Sequence, residues 1–220
     1  MNIYRFITKA TLLFAVLTVT NNASAIVIIN SDFEAVDVNG YAYQGPGGCS
    51  GYPCQDFNGS AGFGWTLTGG TGLTDPNTAF NPPPFTGQAA FIQGGGSSTI
   101  SQLLSGFTAG ATYELSFDLG SRFANGCCTG NQTIEALIDS TSIGVWSLQS
   151  FTSFTTQFQI FDAASTGSHT LMFRGLSNLD ATAFIDNVAI SHVPEPVTLA
   201  LMGLGLVGMG FARRSSKIKA

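Results

Sequence analysis

The chain has 220 residues, of which 44% are hydrophobic and only 10% charged, with 27 Gly and 18 Phe; soluble domains average about 25% charged residues, so neither a charged disordered tail nor a coiled coil fits. Six of the eight basic residues lie near the ends (Arg5, Lys9, Arg213, Arg214, Lys217, Lys219), which leaves Arg122 and Arg174 against twelve carboxylates between Ile26 and His192, a formal charge of −10 with no lysine. Such a surface repels phosphate backbones and excludes nucleic-acid binding, and the missing lysine excludes Schiff-base and P-loop chemistry.

Residues 1–25 have the three parts of a secretory signal: basic Arg5 and Lys9, an apolar stretch from Ala10 to Thr20, and Ala23-Ser24-Ala25 as an A-x-A site for signal peptidase. The mature chain is expected to begin at Ile26. From there to His192, short apolar runs alternate with Gly, Asn, Ser and Pro, the pattern of many short strands and of no long helix. Strands are predicted over 26–33, 64–67, 89–93, 99–104, 112–119, 133–139, 142–148, 154–161, 169–174 and 182–191. In the fifth of these, Tyr113, Leu115, Phe117 and Leu119 share one face and polar side chains the other, as in an antiparallel strand with one solvated side. The expected fold class is all-β, a single antiparallel β-sandwich over 26–192.

Four cysteines fall in two predicted loops, Cys49 with Cys54 and Cys127 with Cys128. In an exported chain an even count predicts disulfides. Three pairings are open; a vicinal Cys127-Cys128 bridge strains a tight ring, which favours links between the loops, while Cys49 to Cys54 remains an alternative. The first loop also carries Tyr41, Tyr43, Tyr52 and Phe57, and the second region Asn125, Asn131 and Gln132. Aromatic faces that stack on sugar C–H groups, with amides to fix hydroxyls, form a candidate glycan site; the competing reading packs these rings onto the sandwich. Trp65 and Trp146 are expected in the core. Neither His169 nor His192 lies in a catalytic motif, and no carboxylate pair is marked by its setting, so no catalytic residue is assigned.

The C-terminus runs Val193-Pro194-Glu195-Pro196, then sixteen uncharged residues from Val197 to Ala212, then a basic tail beginning at Arg213-Arg214. As a helix the apolar segment spans roughly 24 Å, just short of the roughly 30 Å hydrocarbon core of a membrane. The basic tail is expected to stay cytoplasmic and the body to lie across the inner membrane. Pro194-Glu195-Pro196, the Gly-containing apolar helix and Arg213-Arg214 together resemble the PEP-CTERM sorting signal of Gram-negative bacteria. The resemblance implies an exosortase as partner, transient membrane anchoring, removal of the tail, and release to the cell surface or an exopolysaccharide matrix. Residues 1–25, 26–192 and 193–220 are thus expected to be signal peptide, sandwich domain and sorting segment.

A second resemblance covers the body. Asn30-Ser31-Asp32-Phe33-Glu34, Gly64-Trp65, Thr86-Gly87-Gln88-Ala89-Ala90, Ala109-Gly110-Ala111-Thr112-Tyr113, Gly167-Ser168-His169-Thr170-Leu171 and Phe184-Ile185-Asp186-Asn187-Val188 follow the order of the galactose-binding-like jelly roll of carbohydrate-binding modules. It implies glycan binding and, where the first and last of these pieces meet, a structural calcium held by Asp32, Glu34 and Asp186; the alternative is that these carboxylates cap loops. The expected function is a non-catalytic, exopolysaccharide-binding or matrix-structural domain, with a glycan-active hydrolase or lyase on the same fold as the contrasting class.

Overall fold

The computed structural model describes residues 25–45, 51–78, 84–94, 97–122, 130–177 and 180–194, with Gly203 and Gly205 in helical conformation. Ala23, Cys49, Asn125, Cys127, Cys128, Glu195, Pro196, Arg213 and Arg214 lie outside these residues, as do most of the signal peptide and of the apolar tail. Among the described residues no helix is long and apolar enough to cross a membrane.

Twelve strands are described: β1 (Tyr41–Gln44), β2 (Cys54–Gln55), β3 (Thr66–Thr68), β4 (Thr71–Thr74), β5 (Ala89–Gln93), β6 (Thr99–Phe107), β7 (Thr112–Ser121), β8 (Gln132–Ile138), β9 (Thr141–Leu148), β10 (Thr155–Asp162), β11 (Gly167–Gly175) and β12 (Thr182–His192). They form a seven-stranded sheet in the order β10-β7-β12-β5-β4-β1-β2 and a five-stranded sheet in the order β3-β6-β11-β8-β9. Pairing is antiparallel except for the short β1–β2 contact. The predicted all-β sandwich is the observed architecture.

Alternation explains which face each strand buries. In β7, Tyr113, Leu115, Phe117 and Leu119 are buried, while Glu114, Ser116 and Asp118 face outward and stay half-buried. In β12, Ala183 and Ile185 point in; Phe184 and Asp186 point out. From the other sheet Ile100, Leu104, Ile134, Ala136, Leu171 and Phe173 complete one core between the layers. Phe117 sits at its centre, edge-on to Phe173 at 4.9 Å and to Trp146 at 5.0 Å. Trp65 is buried, as expected; Trp146 is half-buried against the core.

Residues 26–33 depart from the predicted strand. Ile26 makes a single bridge to Ile190, after which Asn30 (φ 53°) and Phe33 (φ 57°) enter the left-handed region and turn the chain. Side-chain amides replace the missing ladder. Gln102 accepts from the Ile29 N–H at 2.8 Å and donates to the Ile29 carbonyl at 2.9 Å, and buried Gln88 accepts from the Val38 N–H at 2.8 Å and donates to the Val36 carbonyl at 3.1 Å. Phe33 stacks on Trp65 at 5.1 Å, and the Trp65 indole donates to the Asn30 carbonyl. Ile26 and Phe33 are buried while Val27 and Ile29 stay exposed, so single side-chain amides and one ring contact, not a ladder, hold the segment to the sandwich.

Strands β1, β2 and β4 lie where loop was expected. Here Gly72 is obligatory for packing rather than for its dihedral angles: a Cβ would lie 2.0 Å from the Ala42 carbonyl oxygen of β1 and 2.6 Å from the Phe91 ring. This glycine lets an aromatic layer close down on the outer face of the larger sheet.

Candidate functional site

The outer face of the seven-stranded sheet carries a second apolar cluster, separate from the core: Ala89, Phe91 and Phe184 are buried, with Tyr41, Tyr43, Phe85 and Phe154 partly buried around them. The alternation of β1 and β5 sends Ala42, Ala90 and Ile92 inward, so Tyr41, Tyr43, Phe91 and Gln93 must face out. Tyr43 stands edge-on to Phe91 (5.0 Å), Tyr41 (6.3 Å) and Tyr52 (5.9 Å). Tyr52 is 64% exposed. The structure therefore brings Tyr41, Tyr43 and Tyr52 into one group, Tyr43 as the half-buried hub and Tyr52 as the rim.

A polar relay runs beside the rings. The Tyr43 hydroxyl donates to Gln93 Oε1, and Gln93 Nε2 donates to the Asp180 carboxylate. Burial first, and then the Asp180 charge, push the Tyr43 phenol above its ordinary value, so it remains a donor. Opposite Gln93 in the β5–β12 register stands Thr182, whose buried hydroxyl has no hydrogen-bond partner among the described residues. On the other side of Tyr41 is a shallow, open depression of about 410 Å³, lined by Asn39, Tyr41, Pro53, Asp75, Asn77 and Thr78. Asp75 shapes it by accepting the Gly40 N–H at 2.9 Å.

Other predicted ligands are placed elsewhere. Phe57 is fully buried against Phe63, with ring centroids 5.6 Å apart, and no sugar reaches it; it is a core residue. Gln132 is also buried. Its amide donates to the Ala181 carbonyl at 2.9 Å and its oxygen accepts from the N–H groups of Thr133 and Ser177, so it ties β8 to the 175–182 segment instead of facing ligand. Asn131, beside it, is exposed. Cys54 is disulfide-bonded, to a partner outside the described residues.

The carboxylates assigned to calcium approach one another without converging. Asp186, 6% exposed, faces outward from β12 opposite Asp118 of β7. Burial first, then the charges of Asp118, Glu34 and Asp32, raise its pKa to about 7. Asn187 partly offsets this, donating its backbone N–H to Asp186 at 2.7 Å and its amide to Asp118 at 2.9 Å. Glu34 accepts the Gln88 N–H, and Asp32 accepts that of Glu34 at 3.5 Å. Calcium needs about six to eight oxygens around one point, and among the described residues no group of three or more His, Cys, Asp or Glu side chains can hold a metal ion. As arranged, Asp32, Glu34 and Asp186 do not fit that role; Asp32 and Glu34 instead accept backbone N–H groups in the 30–38 turn and at Gln88.

Sequence reasoning gave no sign of one more constellation, because its members are separated by loops. His169 Nδ1 lies 2.7 Å from Asp139 and its Nε2 lies 3.3 Å from the Ser165 hydroxyl, the order of a hydrolytic triad. Yet Nε2 is also 2.9 Å from the Ser165 carbonyl oxygen, which only accepts. The imidazole therefore donates from both nitrogens, and the Asp139 bond, reinforced by that carbonyl, raises its pKa. A ring holding both protons cannot take one from Ser165. Buried against Phe107, His169 staples the loop before β11 to Asp139.

A two-layer β-sandwich with an aromatic, shallow outer face and a trailing segment after its last strand is the class defined so far. Residues 192–214 match the PEP-CTERM protein-sorting motif, so the chain carries a sorting signal of exported proteins. No curated protein sequence is a significant match. Among solved structures, a cyclase from Fischerella sp. TAU is similar over 79% of this chain and 99% of its own, with a TM-score of 0.54 and 18% identity, a likeness of fold. Other structural neighbours are a xylan-binding CBM22-1 domain of Paenibacillus barcinonensis Xyn10C (TM-score 0.45, 13% identity, 64% of this chain and 92% of that one) and a CBM36 carbohydrate-binding module in complex with calcium and xylotriose (0.39, 18%, 59% and 98%).

Proposed function

We propose that the body is a non-catalytic glycan-binding domain, exported and sorted by an exosortase, that associates with extracellular polysaccharide through the outer face of its seven-stranded sheet. The observation that supports this reading is the depression beside Tyr41. An aromatic wall, two asparagine amides, a carboxylate and a hydroxyl surround a shallow opening, and the exposed Tyr52 ring stands against Tyr43 on the same face. Ring faces suit the apolar C–H face of a sugar, and the surrounding groups suit its hydroxyls. A shallow opening admits an internal segment of a long chain, where a deep pocket takes only an end. The face has little positive charge to offer an acidic polymer, so the ligand is a neutral polysaccharide. Residues 1–25 and the segment from Val193 onward serve export, with signal peptidase and the exosortase as partners and the membrane as a transient anchor.

The test is a polysaccharide array with residues 26–192, with and without EDTA. Saturable binding that falls at least about tenfold in Tyr41→Ala and Tyr52→Ala, and that ignores EDTA, is the expected result. A blank array leaves a matrix protein without ligand; hydrolysis products point to the glycan-active alternative, and loss of binding with EDTA restores a calcium role.

A further inference from the structure

The sandwich has four sheet edges among its described residues, and they are built differently. On one flank the edges are β2, two residues long and tied by the Cys54 disulfide, and β3, three residues long. Both are too short to template another strand. On the opposite flank the edges are β9 and β10, eight residues each. These two share a flank: a Cβ on Gly144 of β9 would lie 3.1 Å from the Gln159 amide oxygen of β10. Their sixteen residues include no proline and no lysine, and one charge, Asp162. Neither β10 nor its pairing with β7 contains a bulge. Sheet proteins usually protect long edges by such devices, because an open edge offers a row of backbone donors and acceptors to any strand.

The side chains of β10 add to the point. Phe158 and Ile160, 61% and 56% exposed, project from the outer face. We infer that β10 is a self-association edge, pairing antiparallel with β10 of a second copy of this chain about a two-fold axis through Gln159. Opposite residues in an antiparallel pair must share a face. An axis at Gln159 satisfies this: Phe158 meets Ile160 of the partner, twice, and the four side chains close one apolar patch. Thr156 then meets Asp162, so no two carboxylates face each other, and Asp162 is already held by the Thr112 hydroxyl at 2.7 Å.

The strand's own pattern selects a second copy as the occupant. A body with a formal charge of −10 repels its own kind over most of its surface, but along β10 the register about Gln159 sets apolar side chains against each other and the single carboxylate against a hydroxyl. The eight-residue strand offers roughly 27 Å of pairing. An isologous contact of this kind closes at two copies and joins the two larger sheets, leaving both Tyr41 depressions open. A dimer so built presents two glycan sites, but its formation does not depend on the proposed ligand.

All twelve strands and the core lie between Ile26 and His192, so residues 26–192 are the unit to test. Sedimentation velocity over a roughly hundredfold concentration range should show a monomer–dimer equilibrium. Ile160→Lys places a charge in the centre of the paired patch and should weaken association at least about tenfold, with far-UV circular dichroism unchanged because the side chain is exposed. Leu103→Lys, exposed on the other sheet, should leave the dimer intact. A monomer throughout, or a dimer indifferent to Ile160→Lys, overturns the inference. Should the lysine variant misfold, hydrogen exchange of the wild type decides. Protection of β10 amides that grows with concentration supports the edge pairing, and protection independent of concentration rejects it.

Discussion

The two faces of the seven-stranded sheet use the same residue types to different ends. On the inner face Phe117 is enclosed by Phe173 and Trp146. On the outer face Phe91 is equally buried, but the rings above it carry hydroxyls, and one of them is wired to Gln93 and Asp180. The polar groups of the inner rings are tied to the fold's own backbone, the Tyr113 hydroxyl accepting the Thr108 N–H and the Trp65 indole donating to the Asn30 carbonyl. The outer ones hold polar groups at fixed positions near solvent, which is what recognition of a polar ligand requires. Aromatic content therefore says little about function; the polar partners of each ring say more.

The comparison breaks most visibly at Phe117. Phe117→Ala should cost about 3–5 kcal/mol, read as a fall in the urea midpoint, with glycan binding intact in whatever fraction remains folded. A loss below about 1 kcal/mol would mean that the core does not depend on that ring.

Asp186 offers the next largest effect, and it concerns the outer face. Its folded pKa, about 7, lies above its ordinary 3.8, so the native state holds the proton more tightly than the unfolded chain. Stability should then decline as pH rises from about 4 to 7 and stay low above it. Asp186→Asn should flatten that decline and raise the melting temperature at pH 8. An unchanged pH profile in the variant would remove Asp186 from the account.

The His169–Asp139 pair gives a window with two limits. The raised histidine pKa adds stability that is fully present below about 6.5 and is lost as pH rises through the folded value. The lowered Asp139 pKa, caused first by its His169 hydrogen bond, adds stability that is present above about 4 and is lost as pH falls. His169→Asn should remove both slopes in urea titrations at matched pH. Retention of the alkaline slope would assign it to another group.

Smallest in stability is Tyr52. Its Ala variant should stay within about 0.5 kcal/mol of wild type, while losing binding as described above; a marked drop in the melting temperature would place Tyr52 with the inner rings instead.

Much of the fold was legible because alternation is strong from Ala89 onward. There the predicted strands match β5 to β12 within a few residues at each end, and Tyr113, Leu115, Phe117 and Leu119 share the buried face as read. Legibility failed where burial is achieved without a ladder. The apolar run at 26–33 reads as a strand, but the left-handed Asn30 and Phe33 and the reach of Gln102 and Gln88 from distant segments are invisible in it. β1, β2 and β4 were missed because they are short and Gly72 stands in the middle of β4. For the candidate site, composition could not separate Phe57 from Tyr52, two aromatics in one Gly-rich loop, since only the three-dimensional packing buries the first and exposes the second. Nor could it show that Asp118 and Asp186, sixty-eight positions apart, stand opposite each other on neighbouring strands.

The position of β12 has a temporal consequence. It is the last strand, yet it lies in the interior of the larger sheet, between β7 and β5, and Ile190 within it fastens Ile26 at the opposite end of the sandwich segment. Until residues 182–192 are available, β7 with β10 and β5 with β4 and β1 remain two fragments with open edges, and Ile26 lacks its bridge partner. Such non-local closure is slow. A nascent chain thus stays pliable until the segment that adjoins the sorting motif emerges, and compaction of the body becomes a report that the chain is free as far as His192.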